Sequence, residues 1–315
     1  IGMPMAILSM KEDTQVAVLE MGMNHFREIA YLASIGKPDV AVITNIGTMH
    51  IEHLGSQQGI LQAKLEILEG MSHGGKVLLN GDDVLLWNVR RQQHMEATYF
   101  GIQNPEIEYR ALEVEEKSEK LRFHAQYPGG TMPMELSLEG IHYVIDAMAA
   151  VGVGMELGVT PEDIGSRLAD FRNMEGRQEI FQAKGCTIIK DCYNAGPESM
   201  AAALAVLSNK PGRKVAILGD MLELGVCAPA EHYRLGRLVA EKADVLLAFG
   251  PFSDRTVSGA ITGGMPQNLA RCFEKRDQLV SAMQRMIKPG DVLLVKGSRG
   301  MKMELALDRF LKDKT

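Results

Sequence analysis

Seven short apolar runs, each closed by a polar or glycine-bearing turn, limit most strongly what this chain can fold into. They are VAVLEMG (16–22), VAVITNIG (40–47), KVLLNGDD (76–83), TIIKDCYN (187–194), KVAILGDM (214–221), DVLLAFG (244–250) and DVLLVKGSRG (291–300). None alternates cleanly between apolar and polar residues, so each reads as a strand buried on both faces. Between most of them lie stretches with helical spacing, at 57–71, 197–208, 229–241 and 275–287. Strands of this kind alternating with helices predict an α/β fold with parallel sheets covered by helices. Ligands bind such sheets beyond the carboxyl ends of the strands, where the closing polar residues fall.

Residues 105–140 follow a different rule. IEYRALEVEE, KLRFHAQ and MPMELSLEG alternate, which predicts an antiparallel ribbon, and a helix is expected at 141–157. The polar stretch FRNMEGRQ near 170–178 contains Gly176 and reads as a junction. A length of 315 residues suits about two domains. The expected division is 1–174 and 175–315, the second part carrying its own α/β repeat.

Charge and cysteine usage narrow the partners. With 34 basic and 40 acidic residues the net charge is −6, and no basic block stands out, so nucleic acid is not an expected partner. Cys186, Cys192, Cys227 and Cys272 are far apart with no CxxC, which suits a reducing compartment, here the cytoplasm, and neither a zinc site nor a disulfide framework. No apolar run reaches the roughly 20 residues of a membrane span, and the first residues lack the pattern of a signal peptide. The absence of an initiator Met suggests a start inside a longer protein. A monomer is the default expectation.

Several residues could carry chemistry. Glu20 closes the first apolar run and is either a site residue or a solvated strand end. His50 follows a strand by a short loop, with Glu52 and His53 close behind. HIEH lacks the i, i+4 spacing of a helical zinc pair, so a hard cation with oxygen ligands suits it better; a loop-capping histidine is the alternative. In GILQAKLEILEGM (59–71), Ile60, Leu61, Leu65, Ile67, Leu68 and Met71 project onto one face, with Lys64 in its middle and Gln62, Glu66 and Glu69 opposite. An ammonium there must snorkel, pair or lose its proton; a desolvated amine could take up carbon dioxide as a carbamate. Arg177 and Asp191 flank the fourth run and could hold a ribose and phosphates, or form a structural salt bridge. Lys296, Ser298 and Arg299 would suit a carboxylate or phosphate. His232 reads as a packing residue.

The stretches EMGMNHFREI (20–29), TNIGTMHIEHLGS (44–56), QAKLEIL (62–68), NGDD (80–83), GRQE (176–179), DCYNAGPESM (191–200), LGDMLELG (218–225) and VKGSRGMKME (295–304), taken together, resemble the Mur ligase family. The resemblance is narrowest to members that join D-alanyl-D-alanine to UDP-N-acetylmuramoyl-tripeptide in peptidoglycan synthesis. It implies a central ATPase domain and a C-terminal Rossmann-like domain. It also implies an acyl phosphate made from ATP, attacked by the dipeptide amine, with domain closure excluding water. By the same resemblance Glu20, His50 and a carbamoylated Lys64 would hold Mg²⁺. Asn80, Arg177, Asp191, Tyr193 and Asn194 would hold ATP, and Asp220, Glu223, Lys296, Ser298 and Arg299 would face the dipeptide. Three positions depart from the family pattern: Tyr143, Asp146 and Gly196 stand where asparagine is usual, which implies altered nucleotide binding. No GxxxxGK[ST] phosphate loop occurs, so this stretch alone is expected not to turn over. A non-catalytic nucleotide- or partner-binding module and a folate-extending ligase are the competing readings.

Overall fold

All but one of the apolar runs become strands. The computed structural model describes residues 2–91, 96–117 and 119–312. One sheet is built from β1 (Val40–Ile43), β2 (Lys76–Asn80), β3 (Thr98–Gly101), β4 (Tyr109–Lys117), β5 (Lys120–Tyr127) and β6 (Gly130–Leu136), in that order. β1 to β4 pair in parallel; β4, β5 and β6 pair antiparallel, so the predicted ribbon extends the same sheet. The helix His142–Glu156 lays Val144, Ala147, Met148 and Val151 into the core.

The second sheet contains β7 (Glu179–Ala183), β8 (Cys186–Asp191), β9 (Lys214–Gly219), β10 (Val245–Phe249), β11 (Ala270–Phe273) and β12 (Val292–Lys296), in the order β11-β10-β9-β12-β8-β7. All pairs are parallel except β7 with β8. Its strands do not alternate because helices cover both faces. Ile189, Ala216, Leu218, Leu246 and Leu294 pack with helices Pro197–Asn209 and Ala228–Lys242. Ile188, Val215, Ile217, Leu247 and Leu293 pack with helices Arg276–Met286 and Glu304–Lys312. The last strand, β12, inserts between β8 and β9, so the carboxyl ends of these three strands are neighbours at the topological switch point.

The chain divides into two compact units. One holds Ile1–Ile46, His53–Ser137 and Ile141–Phe171; the other holds Gly47–Glu52, Leu138–Gly140 and Arg172–Thr315.

Two expectations are corrected. Residues 16–22 form no strand, and Glu20 is exposed in an irregular stretch. An apolar run supplies propensity, but a strand also needs a neighbour for its backbone groups. Among the described residues β1 pairs only with β2, and Val18 is 91% exposed. The helix expected over 57–71 is α-helical only over Gln57–Leu65, started by a Ser56 side-chain cap, and tightens to a 3₁₀ turn over Glu66–Gly70. Glu66 nevertheless points inward, because the start of helix Glu28–Gly36 lies against it. It is 6% exposed. Its carboxylate accepts the backbone N–H of Arg27 at 2.7 Å and of Ala30 at 3.3 Å, at the start of helix Glu28–Gly36. Those amides are among the donors that a helix start leaves without intrahelical partners.

Replacing Glu66 by Ala leaves two helix-start donors unsatisfied. The expected loss is about 1–3 kcal/mol, read by urea denaturation followed with a probe in the first unit. A change below about 0.5 kcal/mol, the usual range of a neutral surface substitution, would show that the cap contributes little.

Candidate active site

The turn after β1 is held by four side chains from its own unit. Asn80 donates Nδ2–H to the Thr44 carbonyl at 2.8 Å. Lys64 donates from Nζ to the Asn45 carbonyl at 2.7 Å. The Ile46 N–H donates to Asp83 at 2.7 Å, and Gln57 donates to the Ile46 carbonyl at 3.2 Å. Lys64 is half-buried, with its ammonium aimed at the carboxyl end of β1.

NGDD is largely structural. Asn80 is buried, and its Oδ1 accepts the Asp82 N–H at 2.9 Å. Asp82 accepts the N–H groups of Ile102, Gln103 and Asn104. Asp83 also caps the helix Val84–Val89. Asn80, expected at ATP, thus has each end of its amide bonded inside the protein.

In the second unit, Lys296 at the end of β12 lies opposite Asp191 at the end of β8. Its Nζ is 2.5 Å from Asp191 Oδ2 and donates to the Asn194 carbonyl at 3.0 Å. The salt bridge to Asp191 is thus made by Lys296, not by Arg177. The Arg177 guanidinium lies 4.3 Å over the Tyr193 ring, and both residues are exposed. Asn194 Oδ1 accepts the Ala195 N–H at 2.9 Å. Cys192 is inert in this cluster, because burial pushes its thiol up to about 12.

Ser298 joins two turns. Its Oγ donates to the Ala195 carbonyl at 3.1 Å and accepts the Leu222 N–H at 2.9 Å, while its N–H donates to the Asp220 carbonyl at 3.1 Å. Asp220 is 2% exposed and accepts the Phe252 N–H at 2.9 Å. Gly250 leaves room for it, since a Cβ there would come within 2.5 Å of the Asp220 carboxyl carbon. His232 packs beside it as the sequence suggests. Nε2 accepts the Met221 N–H at 3.0 Å, so Nδ1–H donates to Ala228 O at 2.7 Å, which fixes a neutral tautomer. Asp220, Lys296 and Ser298, expected to face the dipeptide, are thus all buried and hydrogen-bonded within the unit. Glu223 and Arg299 are both exposed.

His50 and Glu223 meet within this unit, with Nδ1 2.5 Å from Oε2. Both backbones are left-handed, at φ 65° and 62°. Two contacts escaped the sequence reading. Thr48 donates its hydroxyl to Glu198 at 3.1 Å, and Gln178 donates from Nε2 to the Glu139 carbonyl at 2.6 Å. For Glu198 the only signal was an acid in the first turn after Pro197. Gly196, which departs from the family pattern, meets Met49: a Cβ there would lie 2.5 Å from its Cγ. His53 is exposed and stacks on His25 with centroids 4.7 Å apart. Among the described residues, no group of three or more His, Cys, Asp or Glu is arranged to hold a metal ion. Carboxylates, imidazoles and carbamates are each donors of the kind a hard cation accepts. The open grooves flanking β11, lined by Val257, Ile261, Arg271 and Phe273, contain none of the candidate residues.

Comparison with known proteins bears on this arrangement. Residues 1–154 match the Mur ligase middle domain and residues 176–299 the Mur ligase glutamate ligase domain. A UDP-N-acetylmuramoyl-tripeptide–D-alanyl-D-alanine ligase of Escherichia coli is 32% identical over 96% of this chain and 67% of its own. A MurF crystal structure from Acinetobacter baumannii superposes with a TM-score of 0.90 and 32% identity, covering 99% of this chain and 68% of the other. The chain belongs to the Mur ligase family. Its fold is that of the family's central and C-terminal domains. A Bacillus subtilis ligase of the same name is 37% identical over 96% of this chain, and the chain spans 66% of that relative's length. A Thermotoga maritima MurF solved in complex with ADP is 25% identical, with a TM-score of 0.85 over 99% of this chain and 70% of its own.

Burial raises the Asp220 carboxyl above the ordinary aspartate range. A folded-state value above the unfolded one means that the stability this group contributes is complete below the unfolded value and is lost as pH rises through the folded value. Asp220→Asn stays neutral and keeps an acceptor for Phe252. Its stability relative to wild type is expected to improve as pH rises from below the ordinary aspartate range to above it, measured by urea denaturation of the protein. A flat difference across that range would contradict the assignment.

Proposed function

We propose that the complete protein is an ATP-dependent amide ligase that joins D-alanyl-D-alanine to UDP-N-acetylmuramoyl-tripeptide in peptidoglycan synthesis, acting in the cytoplasm as a monomer. The observation that carries this reading is the cluster of Asp191, Tyr193, Asn194 and Arg177 at a sheet's carboxyl edge, in a chain 32–37% identical to ligases of that name. No described helix is long and apolar enough to cross a membrane.

In the first step a carboxylate oxygen of the UDP-linked peptide attacks the γ-phosphorus of ATP and ADP leaves. In the second, the dipeptide amine attacks the acyl phosphate carbonyl, phosphate departs, and the nitrogen loses a proton. The Arg177 guanidinium, stacked on Tyr193, supplies fixed positive charge for phosphate oxygens. Asp191 offers a carboxylate to a ribose hydroxyl. The exposed Arg299 suits the dipeptide carboxylate, with Glu223 beside the same sheet edge. Mg²⁺, held by Glu20, His50 and carbamoylated Lys64, would neutralise phosphate charge. Lys64 would reach that role when its ammonium releases one proton, the neutral amine adds carbon dioxide at Nζ, the atom that now donates to Asn45, and a second proton leaves to give the carbamate anion.

The test is phosphate release by the full-length protein, which should require both the UDP-tripeptide and D-alanyl-D-alanine; release indifferent to the dipeptide refutes the proposal. In the same protein Lys64→Ala is expected to lower kcat by about 100-fold or more, with no recovery in excess bicarbonate. Unchanged turnover would remove the carbamate from the mechanism.

A further inference from the structure

The lysine at the end of β12 invites a direct role in gripping a substrate anion, but its surroundings point elsewhere. Lys296 is 3% exposed, and its ammonium is spent on Asp191 Oδ2 at 2.5 Å and the Asn194 carbonyl at 3.0 Å. A buried cation so engaged has little left to offer a ligand, and a great deal to impose on its neighbours. Asp191 Oδ1 in turn accepts the Gln178 N–H at 3.4 Å, next to Arg177. The Tyr193 N–H donates to the Gly176 carbonyl at 3.1 Å, on the other side of Arg177. The ammonium therefore stands at the root of a chain of contacts that fixes Asp191, Asn194, Tyr193 and Arg177 together. Ser298, two residues on, makes the separate link from the Ala195 carbonyl to the Leu222 N–H.

We propose that Lys296 is a positioning residue for the nucleotide: it sets Asp191 and the Asn194 turn in the geometry that receives ATP and does not touch the dipeptide. The inference rests on the reading of Asp191, Tyr193, Asn194 and Arg177 as the ATP-holding group. The register explains why a lysine does this. Parallel pairing puts Lys296 and Asp191 side by side at the ends of adjacent strands, so a four-carbon stem within the sheet delivers its charge to a neighbouring carboxylate.

The test compares Lys296→Met, Lys296→Arg, Asp191→Asn and the double variant Asp191→Asn/Lys296→Met in the full-length protein. KM for ATP and KM for D-alanyl-D-alanine are measured separately, and ADP is titrated at equilibrium without turnover. Lys296→Met is expected to raise KM for ATP and Kd for ADP by about tenfold or more, leaving KM for the dipeptide within about twofold. The double variant should lose no more nucleotide affinity than the worse single variant, because the two side chains act as one unit. A rise confined to the dipeptide KM would overturn the proposal and make Lys296 an acceptor contact. Unchanged constants, or additive losses in the double variant, would overturn it too. If Lys296→Met does not fold, Lys296→Arg carries the test: its charge is retained but its fork displaces Asp191, so the ATP constant should rise alone. Failure of wild-type turnover to depend on the dipeptide would count against the proposed function only, since the ADP titration still reads the nucleotide side. Absence of ADP binding by wild type would overturn both.

Discussion

Polar groups at the ends of strands that are buried on both faces must find partners, and this requirement organises both units. Beyond β1, the turn Thr44–Ile46 is pinned by Asn80, Lys64, Asp83 and Gln57. Beyond β8, β9 and β12 the same need is met by Lys296, Ser298 and Asp220. These residues look like ligand-binding groups because they are polar and sit at the sheet edge. Their hydrogen bonds, however, run to the turns themselves. They hold the turns, and the more accessible residues Arg177, Tyr193, Glu223 and Arg299 are presented on those turns.

Left-handed backbone conformations gather where the turns are tightest. His50, Gln178 and Glu223 all have positive φ without being glycine. Each costs on the order of 1 kcal/mol or more and persists only where surrounding contacts fix it. Here they are fixed. The Glu52 N–H reaches the Glu223 carbonyl at 3.4 Å, Ile51 packs on the core of the second unit, and Gln178 is tied to Glu139. Gly196 obeys the same shortage of space, because Met49 occupies the volume a side chain would need.

The sheets were legible because their signal is local. Uninterrupted apolar runs read correctly as β1, β2, β8, β9, β10 and β12, and strict alternation found β4 to β6. Short or partly polar strands such as β3 and β11 carry no such signal and exist because longer neighbours hold them in register. Residues 16–22 show the converse, an apolar run with no partner strand among the described residues. Glu66 failed for a different reason: a helical projection reports polarity, and a carboxylate can be buried where a second helix offers it unpaired backbone N–H groups.

By itself the sequence determined which segments are apolar enough to be buried, where polar residues interrupt them, and which motifs fall at the strand ends. It therefore carried the family and the neighbourhood of the candidate site. Tertiary structure alone decided which of those polar residues face inward. Lys296 pairs with Asp191 across 105 positions of sequence, and Asn80 reaches Thr44 across 36. The physical reason is that composition and periodicity report a residue's own preference for water. Whether a charge is sheltered or presented depends on the partner that strand order brings beside it.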